Sequence, residues 1–434
     1  MKEYSNFLER IDGELYFDGC ALSEVAETYG TPLYVLSAST LKETLTEIKT
    51  EFIDKYENVL PLYASKALSI KYVYEQVEAH GFGVDVVSAG EIFVALKSGV
   101  NPNHIYFHGS NKGADEIAYA IDHGVTHFVI DNFHEIELIN KICTEKETPV
   151  LGMLRIVPQV EAGGHKYIKT GQVDTKFGFS THDETYHKAI ELVINSPYIH
   201  FIGLHCHIGS QVESKAPFIA TAKVMMQYVI SVKEKFGITI PQLNIGGGYG
   251  IVYESGSNHL TFTEIIHDVM TEINQACATA NIERPKILIE PGRSIVGNAG
   301  ITLYTIGSTK NIPDVCKYVS VDGGMTDNIR PALYQAKYNA FLVNDSARTK
   351  AECVTIVGKC CESGDKLIYD ITLPHLQSGD FLAVTSTGAY NYSMSSNYNQ
   401  LCRPGIVVVD NGEHRLIIRR QTFEDLINCE VDWT

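Results

Sequence analysis

The sequence predicts an α/β protein with an eight-stranded (β/α)8 barrel and a second, mainly antiparallel β-domain. Three observations carry that prediction. Eight apolar, β-branched runs alternate with helix-permissive segments. Polar, reactive residues close nearly all of the runs, as in barrels that place their chemistry at the C-terminal ends of the strands. After Arg293 the texture changes to short β-rich runs set apart by turns such as Ser378-Gly379-Asp380 and Asp410-Asn411-Gly412.

The eight runs are Val59–Lys66, Phe82–Ser88, His104–Gly109, Thr126–Asn132, Val150–Pro158, His200–Ser210, Gln242–Tyr249 and Lys286–Arg293. The first four recur about every 23 residues, close to the minimum for a strand, a loop and a helix. Later intervals are longer and leave room for extended loops. One of them, Val160–Gly178, is rich in Gly, Lys and His and is expected to overhang the barrel mouth. The β-rich runs that follow are Tyr318–Val321, Ala351–Val357, Phe381–Thr385, Gly405–Val409 and Glu413–Arg419. Glu14–Phe17 and Leu33–Leu36 are also strand-like and are expected to pair with the C-terminal sheet. The expected division is therefore a barrel over 38–293, with 1–37 and 294–434 forming a discontinuous β-domain. A chain of 434 residues exceeds one ordinary core, which agrees with two domains.

Composition narrows the function. Hydrophobic residues make up 44% and charged residues 20%, as in a globular chain. A formal net charge of -17 argues against nucleic acid or an anionic membrane as partner. No apolar run is long enough to span a bilayer. Met1–Asn6 has no apolar core of a signal peptide, so no secretion is expected. The ten cysteines are scattered, with only Cys360 and Cys361 adjacent, and are read as reduced thiols of a cytoplasmic protein.

The strand ends carry Lys66, Asp85, Ser88, His108, Asp131, Arg155, His207, Gly246–Gly248, Glu290 and Arg293. A lysine at a strand end is ordinarily a surface residue. Among these neighbours, however, Lys66 reads as a desolvated nucleophile toward an aldehyde. The run Gly246-Gly247-Gly248 could be a plain turn. After the seventh strand of a barrel it is a phosphate-binding loop, because glycine lets backbone N–H groups approach an anion closely. Glu290 next door could cap a helix, or could face a pyridine nitrogen and keep it protonated. Arg293 would pair with a phosphate or a carboxylate. In His205-Cys206-His207 only the two histidines share a strand face. Two ligands without a third do not make a zinc site, so no metal is expected. The better reading packs an imidazole against a flat cofactor ring, with Ser210 at a phosphate. Together these residues describe a site for a phosphate-bearing carbonyl cofactor.

Along nearly its whole length the chain resembles the fold-type III decarboxylases that use pyridoxal 5'-phosphate (PLP), whose TIM barrel and β-domain are shared with alanine racemase and ornithine decarboxylase. The motifs that carry the resemblance are Tyr63–Lys66, Asp85–Glu91, Phe107–Lys112, His205–Gln211, Gly246–Gly248 and Glu290–Arg293. Further on they are Asp322–Met325, Arg330–Tyr334, Cys361–Asp365, Gly388–Tyr390 and Ser396–Asn399. The resemblance implies that Lys66 carries PLP, that His207 stacks on its ring and that Glu290 faces its nitrogen. Asp85, Ser210, Gly246, Gly247, Gly248, Gly292, Arg293 and Tyr390 complete the implied cofactor set. Arg293, Arg330, Tyr334, Glu362 and Tyr390 would contact an amino-acid substrate, and Cys361 would be the proton donor. In this family Cys361 and Glu362 reach the site from a partner subunit, which implies a homodimer with shared sites.

Three departures from the family pattern stand out. Leu68 replaces a usual Asn, Lys359-Cys360 precedes the donor cysteine, and Lys337 and Tyr338 interrupt the run after Tyr334. The implied reaction is decarboxylation of meso-2,6-diaminopimelate to L-lysine and CO2. Its distal amine and carboxylate would meet Glu362 and an arginine, whereas ornithine would leave that arginine unpaired. Carboxynorspermidine, D-ornithine or D-lysine, and arginine remain alternative substrates at this point. So do an alanine-racemase-like activity and a PLP-binding regulatory protein that has lost catalysis.

Overall fold

A computed structural model of the chain describes residues 1–160, 175–183, 185–256, 260–345, 348 and 350–433. The chain divides into two compact units, one made of Met1–Thr44, Ile251–Asn258 and Arg293–Thr434, the other of Leu45–Gly250 and His259–Gly292.

The second unit is a closed parallel barrel. Its strands are β1 (Val59–Ala64), β2 (Gly83–Val86), β3 (Ile105–Phe107), β4 (His127–Ile130), β5 (Val150–Val157), β6 (Ile199–His205), β7 (Gln242–Asn244) and β8 (Lys286–Ile289). Each pairs in parallel with the next, and β8 pairs with β1, so no barrel edge is left open. All eight match runs seen in the sequence, trimmed at their polar ends. Leu60, Leu62, Tyr106, Val129, Met153, Ile202 and Leu288 fill the interior. Some of the outer helices start where short polar side chains cap them. Ser88 accepts from Glu91 N–H and Asn132 from Glu135 N–H, at 3.2 and 3.0 Å. The loop expected over Val160–Gly178 falls mostly on 161–174, which lie outside the described residues.

The first unit is a mainly antiparallel sheet. Its central strand is Gly300–Ile312, flanked on one side by Leu33–Ser37, Gly405–Asp410 and Glu413–Ile418. On the other side lie Cys316–Val321, Ala351–Val357 and Lys366–Pro374. Leu33–Ser37 pairs with Gly300–Ile312 and Gly405–Asp410, as expected for an N-terminal strand in a C-terminal sheet. Glu14–Phe17 instead joins Leu8–Ile11 and Cys20–Ala21 in a small separate sheet, which corrects that part of the expectation.

The unit boundaries also differ from the expected 37/38 and 293/294. The helix at Ala38–Ile48 opens against the N-terminal segment. Asp18 accepts from Ser37 Oγ and Ser39 N–H at 2.8 and 2.9 Å, and Thr40 bonds Ser5 at 2.7 Å. Val252 belongs to the core of the first unit, and its carbonyl accepts from Ser386 Oγ at 2.8 Å. Arg293 joins the same unit through Tyr253, whose hydroxyl accepts from its guanidinium.

Candidate active site

In the barrel, β7 ends at Asn244 and runs straight into Gly246-Gly247-Gly248. A Cβ on Gly246 would lie 2.4 Å from the Cys206 carbonyl oxygen, one on Gly247 2.0 Å from that of Glu290, and one on Gly248 2.5 Å from that of Gly209. None of the three positions can carry a side chain, and Gly246 and Gly248 also need φ of +73° and +108°. Gly247 N–H donates to His207 Nδ1 at 3.2 Å, and Val212 N–H donates to the Gly248 carbonyl at 2.9 Å. Ser210 lies between those two anchors along the chain. The glycine turn and the segment after β6 thus form one backbone cradle.

Lys66 sits beside the eighth strand's loop. Strand β1 ends at Ala64, and a 3-10 turn over Ser65–Ala67 follows, so Lys66 is one turn beyond the strand rather than on it. Ala64 N–H donates to the Pro291 carbonyl at 3.1 Å, and a Cβ on Gly292 would come within 2.8 Å of Ala64 Cβ. The turn buries Ser65 and Ala67 and turns Lys66 outward, so Lys66 is exposed in the isolated chain, not desolvated as expected.

Between these features lies a buried polar cluster at the C-terminal strand ends. Glu290 Oε1 accepts from Asn244 Nδ2 at 2.7 Å, and His205 Nε2 approaches Oε1 and Oε2 at 3.1 and 3.3 Å. His108 Nε2 is 3.3 Å from Glu290 Oε1 and 3.8 Å from Asp85 Oδ1. Burial alone would push the Glu290 carboxyl up. The facing His205 and His108, the hydrogen bond from His205 and the nearby His207 outweigh it and hold Glu290 well below the carboxylate range. Asp85 goes the other way, raised by burial and then by the charge of Glu290, with Lys66 opposing. Burial also holds His108, His205 and His207 below their ordinary value; Lys66 adds to the effect on His207. Within the cluster the Glu290 carboxyl is thus pulled down, the Asp85 carboxyl pushed up and the three imidazoles pressed toward their uncharged form. Asp85 Oδ1, His108 Nε2 and His205 Nδ1 have no hydrogen-bond partner among the described residues.

The β-unit holds the remaining predicted residues. Arg293 and Arg330 are 6% and 7% exposed, and both stand over the ring of Tyr390, at 4.7 and 5.5 Å from its centre. Tyr253 and Tyr334 flank Arg330 at 5.9 and 5.6 Å, and Tyr253 meets Tyr338 edge to face at 5.3 Å. Tyr390 has a left-handed φ of +66°, a strained backbone of the kind found at functional positions. Cys361 and Glu362 are exposed. Asn399 Oδ1 accepts from Cys361 N–H at 2.7 Å, and Asp365 Oδ2 accepts from Cys360 N–H at 2.8 Å. Cys360 itself is buried, and burial with the neighbouring Asp365 pushes its thiol up to about 11.

These residues fit the implied cofactor. The glycine turn packs so closely on the carbonyls of Cys206, Glu290 and Gly209 that no side chain can intrude on it, which leaves its backbone bare for a phosphate. The cluster next to it ends in polar atoms without a partner among the described residues. His108, His205 and Glu290 also bring three possible ligand atoms within 4.8 Å of one another, but hydrogen bonding to Asn244 and His205 already accounts for Glu290. His205 and His207 do not converge: one turns to Glu290, the other takes the Gly247 N–H. Sequence reasoning missed Asn244, Tyr253 and the inward role of Tyr338. The signals were a lone amide between an apolar strand and a glycine run, and Tyr338 eight residues after Arg330; nothing in the sequence marks Tyr253.

A barrel with this cradle, lysine turn and carboxylate defines a cofactor-dependent enzyme class. Residues 39–297 match the family model "Pyridoxal-dependent decarboxylase, pyridoxal binding domain", and the chain belongs to that family, whose cofactor is PLP. Its relatives are diaminopimelate decarboxylases. That of Bacillus subtilis is 43% identical over 419 residues, covering 96% of this chain and 95% of the relative. That of Staphylococcus aureus is 44% identical over 417 residues, covering 96% and 97%. Among solved structures, diaminopimelate decarboxylase from M. jannaschii in complex with L-lysine superposes with a TM-score of 0.93 at 33% identity, covering 99% of this chain and 98% of that one.

Proposed function

We propose that the chain decarboxylates meso-2,6-diaminopimelate to L-lysine and CO2, the last step of lysine biosynthesis. The observation that carries this reading is the pair of buried arginines over Tyr390. Arg330 Nε has no hydrogen-bond partner among the described residues. A buried guanidinium with an open donor calls for a carboxylate. Diaminopimelate has one at its distal end and ornithine does not. The diaminopimelate decarboxylases at 43% and 44% identity support the same choice.

In this reading Lys66 would hold PLP, the glycine cradle with Ser210, Gly292, Arg293 and Tyr390 would take its phosphate end, and His207 and Asp85 would serve its ring. Bound there, PLP supplies the electron sink for the bond that breaks at the α-carbon. Glu290 would favour a protonated ring nitrogen through its negative charge. Arg330 and Arg293 bind the distal carboxylate, Glu362 the distal ammonium, and Tyr334 closes that end. Cys361 Sγ gives its proton to the α-carbon in place of the departing CO2. We further propose that Cys361 and Glu362 act in the site of a second copy, so that a homodimer is the smallest active unit. The cytoplasm is the proposed compartment, supported by cysteines that are all free thiols.

The test is CO2 release from meso-diaminopimelate beside ornithine, D-lysine, arginine and carboxynorspermidine. Release from diaminopimelate alone, with lysine as product, is expected; release from another amine only overturns the substrate. Arg330→Ala is expected to lower kcat/KM on diaminopimelate about 100-fold or more, and much less on smaller amino acids. Mixing Lys66→Ala with Cys361→Ala protein should restore part of the activity if the sites are shared. No restoration, with subunit exchange demonstrated, would place each site within one chain.

A further inference from the structure

Among the buried groups at the barrel's C-terminal end, Asn244 stands apart as a neutral side chain that touches both ends of the site. It is fully buried and closes strand β7. Its Nδ2 donates to Glu290 Oε1 at 2.7 Å, and its Oδ1 accepts from Gly246 N–H at 2.9 Å. The two partners fix the amide without ambiguity, because a carboxylate demands a donor and a backbone N–H an acceptor. Its backbone is pinned as well, the carbonyl accepting from Cys206 N–H at 3.0 Å. One side chain therefore links the carboxylate of β8 to the first residue of the glycine turn.

The remaining neighbours do not make this link. His205 also reaches Glu290, but its Nδ1 has no hydrogen-bond partner among the described residues. His108 turns one atom, Nε2, to both carboxyls, 3.3 Å from Glu290 and 3.8 Å from Asp85. His207 touches the turn at Gly247 rather than at Gly246. The charged and titratable groups around Glu290 are thus His205, His108, Asp85, His207, Cys206 and Tyr249, with Lys66 and Arg155 beyond them. Asn244 is the donor beside them that does not titrate. Its bond to Glu290 is unaffected by its own titration, whereas a histidine's contribution changes with its protonation.

We propose that Asn244 is a positioning residue that keeps Glu290 charged and aimed while locking the glycine turn to the same frame, so that the two ends of the cofactor site are set by one amide. The proposal rests on the cofactor part of the function proposed above and not on the identity of the substrate.

The test compares two variants of the full-length protein reconstituted with PLP. Asn244→Asp keeps the shape and the acceptor for Gly246 but replaces the donor facing Glu290 with a second carboxyl. Asn244→Ala removes both contacts. The readouts are the visible absorbance of the bound cofactor titrated with pH, and the rate at which cofactor is lost on dilution. Apoprotein melting serves as the folding control. The expected result is that Asn244→Asp perturbs the absorbance more than Asn244→Ala at pH 8. Its spectrum should return toward wild type as the pH falls and the paired carboxyls share a proton. Asn244→Ala should lose cofactor about ten-fold faster or more, as for a lost hydrogen bond to a charged group. A wild-type spectrum and off-rate in both variants overturns the proposal. So does a larger defect in Asn244→Ala without pH dependence in Asn244→Asp, which would mean that the amide only fills space. If Asn244→Ala does not fold, the isosteric Asn244→Asp decides alone by its pH titration. A wild-type protein that takes up no PLP overturns the function proposed above together with this inference, whereas uptake with unaltered variants overturns the inference alone.

Discussion

The barrel buries two ionic clusters that resemble each other in composition and differ in completeness. In the first, Lys112 pairs with Glu135, and its ammonium also donates to the carbonyls of Gly109 and Val129 at 2.9 and 2.7 Å. Glu135 Oε2 accepts from Asp131 N–H at 2.9 Å. All three ammonium protons are used. In the second, Glu290 is well bonded, but Asp85 Oδ1, His108 Nε2 and His205 Nδ1 are left over among the described residues. Burial is comparable: side chains of 1% and 2% exposure in the first, and 1% to 5% for His205, His108, Asp85 and Glu290 in the second. Buried charge alone therefore does not mark a site. The Lys112–Glu135 pair, with all its donors used, is scaffold, while open valences gathered at the C-terminal strand ends leave room for a group not belonging to the chain.

The largest effects should come from opening the closed cluster. Lys112→Met leaves Glu135 buried and unpaired, and should destabilise the fold by about 3–5 kcal/mol. Burial already presses Lys112 down and Glu135 up, each against the pull of its partner. Lys112→Met with Glu135→Leu should recover most of that loss, because an apolar pair replaces both charges. Urea unfolding measures both, and activity per folded molecule should be unchanged. A single variant that folds normally but loses cofactor would place Lys112 in the site and erase the distinction between the clusters.

In the open cluster the same kind of change should act on chemistry more than on stability. Glu290→Gln keeps the shape and removes the charge. It should lower kcat about 100- to 1,000-fold, the scale for losing one preorganised electrostatic group. Stability should fall somewhat as well, since the folded chain favours the charged form of Glu290, but by less than in the closed cluster because Gln can still accept from Asn244. The pair of measurements, kcat with PLP saturating and the melting temperature of the apoprotein, separates the two clusters. A large fall in stability with little change in kcat would move Glu290 into the scaffold.

The sequence showed the open cluster better than the closed one. Lys66, Asp85, His108, Glu290 and the glycine run are legible because they close apolar strands, and strand ends are where a barrel gathers function. Much of the β-unit was not legible. Gly300–Ile312 is buried over its first half and exposed over its second, with a register shift between Ile306 and Thr309, so no single period runs through it. Ala340–Leu342 is too short to stand out. Lys366–Pro374 carries Asp370 at a φ of +49° amid shifted register. Asn244 escaped for a different reason. Its meaning lies in two partners, one beyond a helix and a strand and one two residues on, and only the folded chain shows that one amide serves both.

The smallest effect tests whether an unpaired buried atom suffices to mark function. His127 begins β4, at the end of the barrel opposite Glu290, and its Nδ1 also lacks a partner among the described residues. Its ring lies against Tyr106 at 4.5 Å between centres, and Tyr106 in turn donates to Gln242 at 2.8 Å. Burial first, then the charges of Lys286 and His104, lower the imidazole to about 4. An unfolded histidine titrates near 6.5, so between pH 4 and 6.5 the unfolded chain binds more protons than the folded one. His127 therefore makes stability rise with pH across that window and fall as acid is added. The native chain should lose about 1 kcal/mol between pH 7 and pH 5.5 on this account, and His127→Phe should lose correspondingly less. Cofactor absorbance and kcat at pH 8 should not change, because the N-terminal end of a barrel serves stability. A His127→Phe protein with weakened PLP binding would show that an open valence signals function wherever it lies, and the contrast between the two clusters would then rest on position no longer.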